Sequence, residues 1–185
     1  MGDLSNAIHD LAGHSALADE LARIAADYLV LFGAFVLAWL YLRQPSLRTF
    51  IAACLAAVVA VGIAGLIGQV DYVPRPFVGE HFIPLIKHAA DSSFPSDHLA
   101  ALGALCGATW FAARRLSAAT AIVAAAVAFA RVYVGVHWVT DVVAGFGFGV
   151  LAGVATWYAT AAADPFVTRL DHLLKRWRMP LGTGT

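Results

Sequence analysis

The chain alternates between long apolar stretches and short segments that carry most of its charged residues. Five apolar stretches stand out, at residues 25–42, 50–70, 98–113, 116–130 and 141–163. Because a helix needs about 20 predominantly apolar residues to cross a bilayer, these stretches predict membrane-spanning helices. The third and fourth are short, and we expect their polar ends to lie at a water-filled site. The pattern predicts an all-α, polytopic membrane helix bundle of about five transmembrane helices.

The N-terminal segment has a different pattern, in which apolar residues recur at helical spacing from Leu4 to Ile24 with acidic residues and histidines between them. Such amphipathic segments are typical of helices that lie in the membrane interface. A covering helix without chemistry is the simpler interpretation, and a lid for lipid entry is the alternative. The predicted organisation is an interfacial segment at 1–24, a helix bundle at 25–163 and a basic cytoplasmic tail at 164–185.

Small residues recur inside two of the stretches. Gly103 and Gly107 lie in the third, and Gly145, Gly149 and Gly153 recur every four residues in the fifth. This spacing places small residues on one helix face, which allows helices to pack closely in lipid. We therefore expect these two helices to form tight contacts.

Composition strengthens the membrane interpretation. Hydrophobic residues make up 61% of the 185 residues and charged residues only 13%, whereas soluble domains carry about 25% charged residues. One small soluble domain has too little interior to hide that much apolar surface. The 12 basic and 12 acidic residues cancel, so no basic field indicates a nucleic-acid partner.

The two cysteines, Cys54 and Cys106, lie in apolar stretches. We expect them to pack in the core rather than to form a disulfide or a metal pair. No removable signal peptide is expected.

The basic residues predict how the bundle is oriented. With five crossings, the loops after the first and third stretches and the region after the fifth share one side. The basic residues of these regions are Arg43, Arg48, Arg114, Arg115, Arg169, Lys175, Arg176 and Arg178. The positive-inside rule makes this side the cytoplasm. The N-terminus, the 71–97 loop and the 131–140 connection then face the extracytoplasmic side.

The two extracytoplasmic connections carry side chains that suit a phosphate. Arg75 and Arg131 have planar guanidinium groups that match phosphate oxygens. Ser96 precedes an apolar helix as a candidate N-cap, and free N–H groups of Asp97 and His98 would point at an anion. Ionisable groups near spanning helices are costly and therefore indicate function.

The same connections contain a candidate nucleophile and a candidate acid–base group. His137 and Asp141 are four residues apart, which places them on one helical face. A carboxylate on one ring nitrogen fixes the tautomer and raises the basicity of the other nitrogen. His98 is suited to protonate a leaving oxygen and then to activate water. Each residue alone has a structural explanation, but the combination indicates phosphoryl transfer through a side chain.

At these residues the sequence resembles the type 2 phosphatidic acid phosphatase superfamily of membrane lipid phosphatases. The matching motifs are Arg75-Pro76, then Pro95-Ser96-Asp97-His98, then Arg131 with His137 after five residues and Asp141 after three more. Three positions depart from the family pattern. Gly68 stands where the family has lysine, Asp97 where it has glycine and Ala130 where it has serine. Lys87 is a candidate to replace the missing lysine.

The run from Lys87 to His98 is further similar to bacterial undecaprenyl-diphosphate phosphatases of the bacitracin-resistance type. This resemblance implies hydrolysis of undecaprenyl diphosphate, an isoprenoid lipid of cell wall biogenesis, to undecaprenyl phosphate. It implies a bacterial inner (plasma) membrane enzyme whose active site faces the periplasm or the cell exterior. It also implies a phosphohistidine intermediate formed without a cofactor or an obligatory metal.

The resemblance also assigns roles to individual residues. His137 would attack phosphorus, Asp141 would orient it, and His98 would act as acid and then as base. The residues implied to bind substrate are Arg75, Ser96 and Arg131, with Lys87, Asp91 and Asp97 as further candidates.

Three alternatives remain at this point. The substrate of such an enzyme can be phosphatidic acid or phosphatidylglycerophosphate instead. A zinc site can be drawn from His88, His98, His137, Asp91 and Asp141, although no local His-x-x-x-His pair supports it. A non-catalytic transporter would also place charges in the membrane, but here they gather at helix ends on one side.

Overall fold

The computed structural model describes residues 3–43, 46–79, 83–167 and 169, and all regular elements within them are helical. The helices are α1 (Asp3–His9), α2 (Ala16–Tyr28), α3 (Phe32–Arg43), α4 (Leu47–Val70), α5 (Pro76–Gly79), α6 (Asp97–Thr109), α7 (Arg114–Tyr133) and α8 (Val139–Ala162). This arrangement confirms the predicted all-α membrane helix bundle. Most of the predicted tail at 164–185, including Lys175, lies outside the described residues.

Four helical stretches of the described chain are long and apolar enough to cross a membrane. They are Ala16–Arg43, Leu47–Val70, Arg114–Tyr133 and Val139–Ala162. The remaining predicted span forms α6, which has 13 residues. At about 1.5 Å per residue α6 is about 20 Å long, short of the roughly 30 Å of a hydrocarbon core. Helix α6 alone is therefore too short to cross the hydrocarbon core.

The N-terminal segment forms two helices, and the second crosses the predicted boundary between residues 24 and 25. Helix α2 begins after Ser15, whose Oγ accepts a hydrogen bond from the N–H of Ala18 at 3.4 Å. It continues through a 3-10 turn, Leu29–Leu31, into α3. Its buried residues Ala22 and Ala26 pack against the end of α7. The amphipathic pattern therefore reflects contact with protein on one face, and an interfacial location for residues 1–24 stays a prediction.

Helix α6 is the centre of the bundle, and ten of its 13 residues are buried. It packs against α4, α7 and most extensively α8. A Cβ on Gly103 would overlap the carbonyl of Phe146, and a Cβ on Gly149 would overlap the carbonyl of Ala100. The two backbones are therefore in direct contact, which confirms the close packing predicted from the glycine spacing.

This close contact brings the starts of α6 and α8 together. The N–H of Ser96, just before α6, donates to the carbonyl of Asp141 in the first turn of α8 at 3.1 Å. A Cβ on Gly145 would overlap the carbonyl of Ser96. The end of α7 and the loop after α4 reach the same end of the bundle, where the N–H of Leu85 donates to the carbonyl of Val134 at 3.1 Å.

Replacing Gly149 with alanine should destabilise the bundle, because the new methyl group meets the backbone of α6. Overpacking of this kind costs about 1–3 kcal/mol, which thermal unfolding of the detergent-solubilised protein would register as a lower Tm. Gly147→Ala is the matched control, because a Cβ there meets no heavy atom within 4 Å and alanine favours a helix by about 1 kcal/mol. Equal Tm values for the two variants would contradict direct backbone contact between α6 and α8.

Candidate active site

A buried histidine lies at the centre of the polar cluster at this end of the bundle. His137 is 1% exposed, and its Nε2 lies 3.3 Å from Nη1 of Arg75 and 3.2 Å from Nη2 of Arg131. Because guanidinium groups only donate hydrogen bonds, these contacts place the lone pair of His137 on Nε2 and its proton on Nδ1. Nε2 therefore keeps the free lone pair that the predicted role of nucleophile requires.

The carboxylate predicted to orient His137 lies on its other side. Nδ1 of His137 is 3.4 Å from Oδ2 of Asp141, which is within ion-pair distance but is long for a hydrogen bond. Within the described part of the chain, Nδ1 has no well-formed hydrogen bond. Oδ2 of Asp141 also accepts a hydrogen bond from the N–H of Trp138 at 2.8 Å. Asp141 therefore caps α8 and holds a fixed negative charge beside the imidazole.

The surroundings of His137 keep its ring neutral. Burial lowers the pKa of His137 from 6.5 to about 4, the charges of Arg131 and Arg75 act in the same direction, and Asp141 opposes them. The ring is therefore unprotonated at neutral pH, as a nitrogen nucleophile must be.

Arg75 is held rigidly by its neighbours. Its Nε donates to Oδ1 of Asp91 at 2.8 Å, its Nη1 to the carbonyl of Val136 at 2.8 Å, and its Nη2 to the carbonyl of Ser92 at 3.3 Å. Partial burial of Asp91 opposes its ionisation, but the hydrogen bond and charge of Arg75 outweigh this and lower the pKa of Asp91. Asp91 therefore positions the arginine rather than contacting His137.

Arg131 is buried without a described carboxylate within ion-pair distance, although the charge of Asp97 acts on it from further away. It is 2% exposed, and its Nη1 donates to the carbonyl of Ala26 at 3.3 Å. Its remaining polar contacts are to Nε2 atoms of histidines, at 3.5 Å for His98, 3.1 Å for His88 and 3.2 Å for His137. Arg131 makes no ion pair with a described residue. A buried cation without a paired anion is costly, so this environment suits an anionic ligand.

His98 has a carboxylate partner that the sequence analysis did not foresee. Its Nδ1 lies 2.8 Å from Oδ1 of Asp97, which leaves Nε2 directed at Arg131. The same oxygen of Asp97 accepts the backbone N–H of His98 at 2.8 Å. The expectation of a free N–H group at His98 is therefore wrong, because the aspartate in place of the family glycine occupies it.

Ser96 occupies the predicted N-cap position of α6, but its side chain does not cap the helix. Its Oγ is fully buried and has no hydrogen-bond partner among the described residues. Nε of Arg131 is likewise buried and has no hydrogen-bond partner among the described residues. Buried polar atoms are normally satisfied, so these orphaned atoms favour a ligand in the cluster.

The structure places Lys87 away from this cluster. Its side chain is exposed and makes no hydrogen bond or ion pair with the residues that the structure describes. Gly68 instead faces a cavity of about 230 Å³, which is also lined by Arg75, Asp97 and His137. The position of the missing family lysine therefore opens onto space beside the candidate nucleophile, and a role for Lys87 stays a prediction.

His88 belongs to the cluster, although the sequence pattern gave it no part in binding phosphate. It entered the sequence analysis only as an alternative metal ligand, yet its Nε2 faces Arg131. The sequence feature that could have placed His88 in the site is its position three residues before Asp91, in the loop that leads into the second motif. As for the zinc interpretation, no group of three or more metal-ligating side chains occurs within the described ranges.

Together, a helical membrane bundle and a neutral buried histidine between two guanidinium groups define a membrane enzyme that acts on phosphate. Comparison with known proteins agrees, since residues 46–164 match the PAP2 superfamily. The chain belongs to this superfamily and is a membrane PAP2-type phosphatase. A similar relative is undecaprenyl-diphosphatase BcrC of Bacillus subtilis (strain 168), with 30% identity over 167 residues, which are 89% of this chain and 86% of the relative.

Two solved structures share the fold. LpxE of Aquifex aeolicus has a TM-score of 0.67 and 19% identity, over 83% of this chain and 92% of that protein. A transmembrane PAP2-type phosphatidylglycerolphosphate phosphatase of Bacillus subtilis has a TM-score of 0.62 and 21% identity, over 88% of this chain and 85% of that protein. Both likenesses support the fold of a multi-pass membrane protein.

If His137 is the nucleophile, as the sequence predicts, its low pKa determines how phosphorylation of the enzyme depends on pH. An imidazolium has no lone pair, so the nucleophile is lost only as pH falls towards the pKa of about 4. With an aryl phosphate whose leaving group needs no proton, and after correction for substrate ionisation, the phosphorylation rate should stay constant from pH 8 to about pH 5. Rapid-quench measurements would test this, and a rate that halves near the ordinary histidine pKa of about 6.5 would contradict a buried, neutral His137.

Proposed function

We propose that this phosphatase hydrolyses undecaprenyl diphosphate to undecaprenyl phosphate and inorganic phosphate. The observation that carries the proposal is Nε2 of His137, which is buried between Arg75 and Arg131 at 3.3 and 3.2 Å. This arrangement can hold the nonbridging oxygens of a phosphoryl group while nitrogen attacks phosphorus. The name of the Bacillus subtilis relative supports the choice of a lipid diphosphate.

The first half of the reaction transfers the terminal phosphoryl group to the enzyme. A bond forms between Nε2 of His137 and phosphorus, and the bond from phosphorus to the bridging oxygen breaks. In the substrate complex His98 is an imidazolium, whose Nδ1–H is held by Asp97. Its Nε2, turned from Arg131 to the leaving oxygen, donates the proton that this oxygen takes up. Asp141 stabilises the positive charge that develops on the His137 ring.

The second half of the reaction returns the enzyme to its starting state. His98, which has lost its proton, removes a proton from a water molecule. The water oxygen bonds to phosphorus, and the bond between phosphorus and His137 breaks. Inorganic phosphate leaves, and both histidines return to their original protonation states.

The remaining predicted residues divide into those that bind phosphate and those that position other groups. Arg75, Arg131 and the unpartnered Oγ of Ser96 bind phosphate oxygens. Asp91 holds Arg75 at 2.8 Å and Asp97 holds His98 at 2.8 Å, so both act through the group that they bind.

Apolar cavities beside the site suit a lipid chain. One of about 210 Å³ is lined by Leu99 and Val142, the residues that follow His98 and Asp141 in sequence. A second of about 420 Å³, lined by Trp110 and Val154, shares Phe146 with the first. The two lie along α8 from the site towards the opposite end of the bundle and offer an isoprenoid chain an apolar path.

The site is further proposed to face the periplasm or cell exterior of a bacterial inner membrane. Helices α4 and α7 end at the site, and α6 and α8 begin there. Arg48 and Arg114 therefore lie at the opposite end, where Arg48 donates to the carbonyl of Trp157 near the end of α8 at 2.9 Å. The positive-inside rule supports a cytoplasmic location for that end.

Substrate preference gives the direct test of this function. Purified protein should release phosphate from undecaprenyl diphosphate with a kcat/KM at least about tenfold above that for phosphatidic acid or phosphatidylglycerophosphate, a difference of about 1.4 kcal/mol. His137→Ala is the control for contaminating phosphatases. A preference for either glycerolipid would overturn the proposed substrate and leave the enzyme class unchanged.

Alanine variants of the two proposed catalytic histidines should differ in how much phosphoenzyme they form from a labelled aryl phosphate. His137→Ala should form no phosphoenzyme, because the attacking atom is absent. His98→Ala should still become phosphorylated and should accumulate the intermediate, because water lacks its general base. Rapid quench and mapping of acid-labile, base-stable label would decide, and label on His98 or in His137→Ala would reverse the assignment.

Sidedness can be measured with cysteines placed at exposed positions. In a background without Cys54 and Cys106, a cysteine at Ala89 should react with an impermeant thiol reagent in intact cells, whereas one at Arg115 should react only after lysis. Both positions are exposed, so burial does not confound the comparison. The opposite pattern would place the site on the cytoplasmic side.

A further inference from the structure

His88 shares a guanidinium nitrogen with the candidate nucleophile. Its Nε2 lies 3.1 Å from Nη2 of Arg131, and the same Nη2 lies 3.2 Å from Nε2 of His137. The two imidazole rings have centroids 6.4 Å apart and meet at 72°. Both ring nitrogens therefore face the place where the oxygens of a phosphoryl group would lie.

We propose that His88 is a substrate-binding residue that donates a hydrogen bond from Nε2 to a phosphate oxygen and supplies, beside Arg75 and Arg131, a third positive charge that faces the phosphoryl oxygens. This inference rests on the proposed phosphatase chemistry at His137 and deepens it. His88 lies outside the three superfamily motifs, but within the run of residues 87–98 that resembles the bacitracin-resistance type.

The tautomer of His88 shows why the contact depends on a ligand. Nδ1 lies 3.1 Å from the carbonyl of Ala89, which only accepts, so Nδ1 carries the proton of the neutral ring. Nε2 then accepts from Arg131 and cannot donate. A phosphate oxygen placed between Arg131 and His88 would receive a hydrogen bond from each, provided that Nε2 takes up a proton.

The charges around His88 favour proton uptake on binding. In the unliganded protein, burial lowers the pKa of His88, and the charges of Arg75 and Arg131 lower it further. The Ala89 carbonyl opposes this, as does Asp91, whose Oδ1 lies 3.9 Å from Nδ1. The other titratable ring that faces His88 is that of His137. A bound phosphate offsets the two guanidinium charges and raises the pKa of His88, so the ring becomes an imidazolium.

A protonated His88 would replace a cationic group that is missing from the site. Two guanidinium groups face the phosphoryl position, and glycine stands at position 68 in place of the family lysine. The neighbouring Lys87 is exposed, whereas Nε2 of His88 points into the cluster. A protonated His88 restores a third cationic donor, and a diphosphate carries enough negative charge to need one.

Calorimetric titration of the full-length protein in detergent with inorganic phosphate tests the proposal without relying on any lipid substrate. Titrations at pH 7.5 in two buffers of different ionisation enthalpy report the protons taken up on binding. The wild type should take up close to one proton more than His88→Gln, and His88→Gln should bind phosphate about tenfold more weakly, as expected for loss of a charge-assisted hydrogen bond. His14→Gln, at an exposed histidine on the N-terminal segment, should match the wild type.

A kinetic measurement separates binding from a structural role. With the lipid phosphate that the enzyme turns over best, His88→Gln should raise KM about tenfold and change kcat less than about threefold. KM of the wild type should rise with pH between 6 and 8, and that of the variant should stay nearly constant. His88→Asn serves as a second variant should the glutamine not fold to the wild-type Tm.

Several results would overturn the proposal. Equal proton uptake and equal phosphate affinity in the wild type and His88→Gln would exclude a contact through His88. Weaker phosphate binding in Lys87→Gln, with His88→Gln unchanged, would assign the third charge to Lys87. Inactivity towards undecaprenyl diphosphate would contradict the proposed substrate alone, because the phosphate titration still decides the role of His88.

Discussion

The guanidinium group of Arg131 lies buried at the end of an apolar bundle without an ion-pair partner among the described residues. Burying such a charge is costly unless hydrogen bonds and an anion compensate it. Its partners are the Ala26 carbonyl and the Nε2 atoms of His88, His98 and His137. Because a guanidinium only donates, each ring must present a lone pair to it. In the unliganded protein one buried cation thus sets the tautomers of three histidines. It has no carboxylate within ion-pair distance among the described residues, and a phosphate can take that place.

The packing of the bundle makes this arrangement possible. Helix α6 is short and central, so its first residues lie against the starts of other elements rather than at a free surface. The glycines of α8 allow its backbone to touch that of α6, and Ser96 then binds the Asp141 backbone at 3.1 Å. His98 lies in the first turn of α6, and His137 lies just before α8. The contact between Ser96 and Asp141 therefore fixes the distance between the two histidines. The stability of the helix pair and the geometry of the two proposed catalytic histidines therefore depend on the same small residues.

Local spacing predicted part of this site. The glycine repeat of the fifth apolar stretch marked the contact with α6. His137 and Asp141 do lie 3.4 Å apart, but the prediction that they share one helical face is wrong, because His137 precedes α8, which begins at Val139. Arg75 lies 62 residues from His137 in sequence, so only the family motifs, and no periodicity, could associate the two. The N-terminal amphipathic pattern could not distinguish a face turned to lipid from one turned to α7.

The contacts that sequence reasoning missed are those between side chains on separate loops. His88 faces Arg131, and Asp97 binds the ring of His98 at 2.8 Å. Nothing in the spacing of His88 or Asp97 along the sequence shows these contacts. The same reasoning favoured Lys87 for the missing charge, because a lysine is always cationic at neutral pH. A histidine becomes comparable only once an anion raises its pKa, which is a property of the folded site and not of the sequence.

The central claim is that the two guanidinium groups hold a phosphoryl group against Nε2 of His137. The most direct test is a high-resolution structure of the protein with orthovanadate, which adopts the five-coordinate geometry of phosphoryl transfer. If the two groups do so, vanadium should be bonded to Nε2 of His137, with equatorial oxygens on Arg75 and Arg131 and an apical oxygen within hydrogen-bond reach of His98. Vanadate bonded to another residue, or bound at this end of the bundle without contact to both arginines, would contradict it.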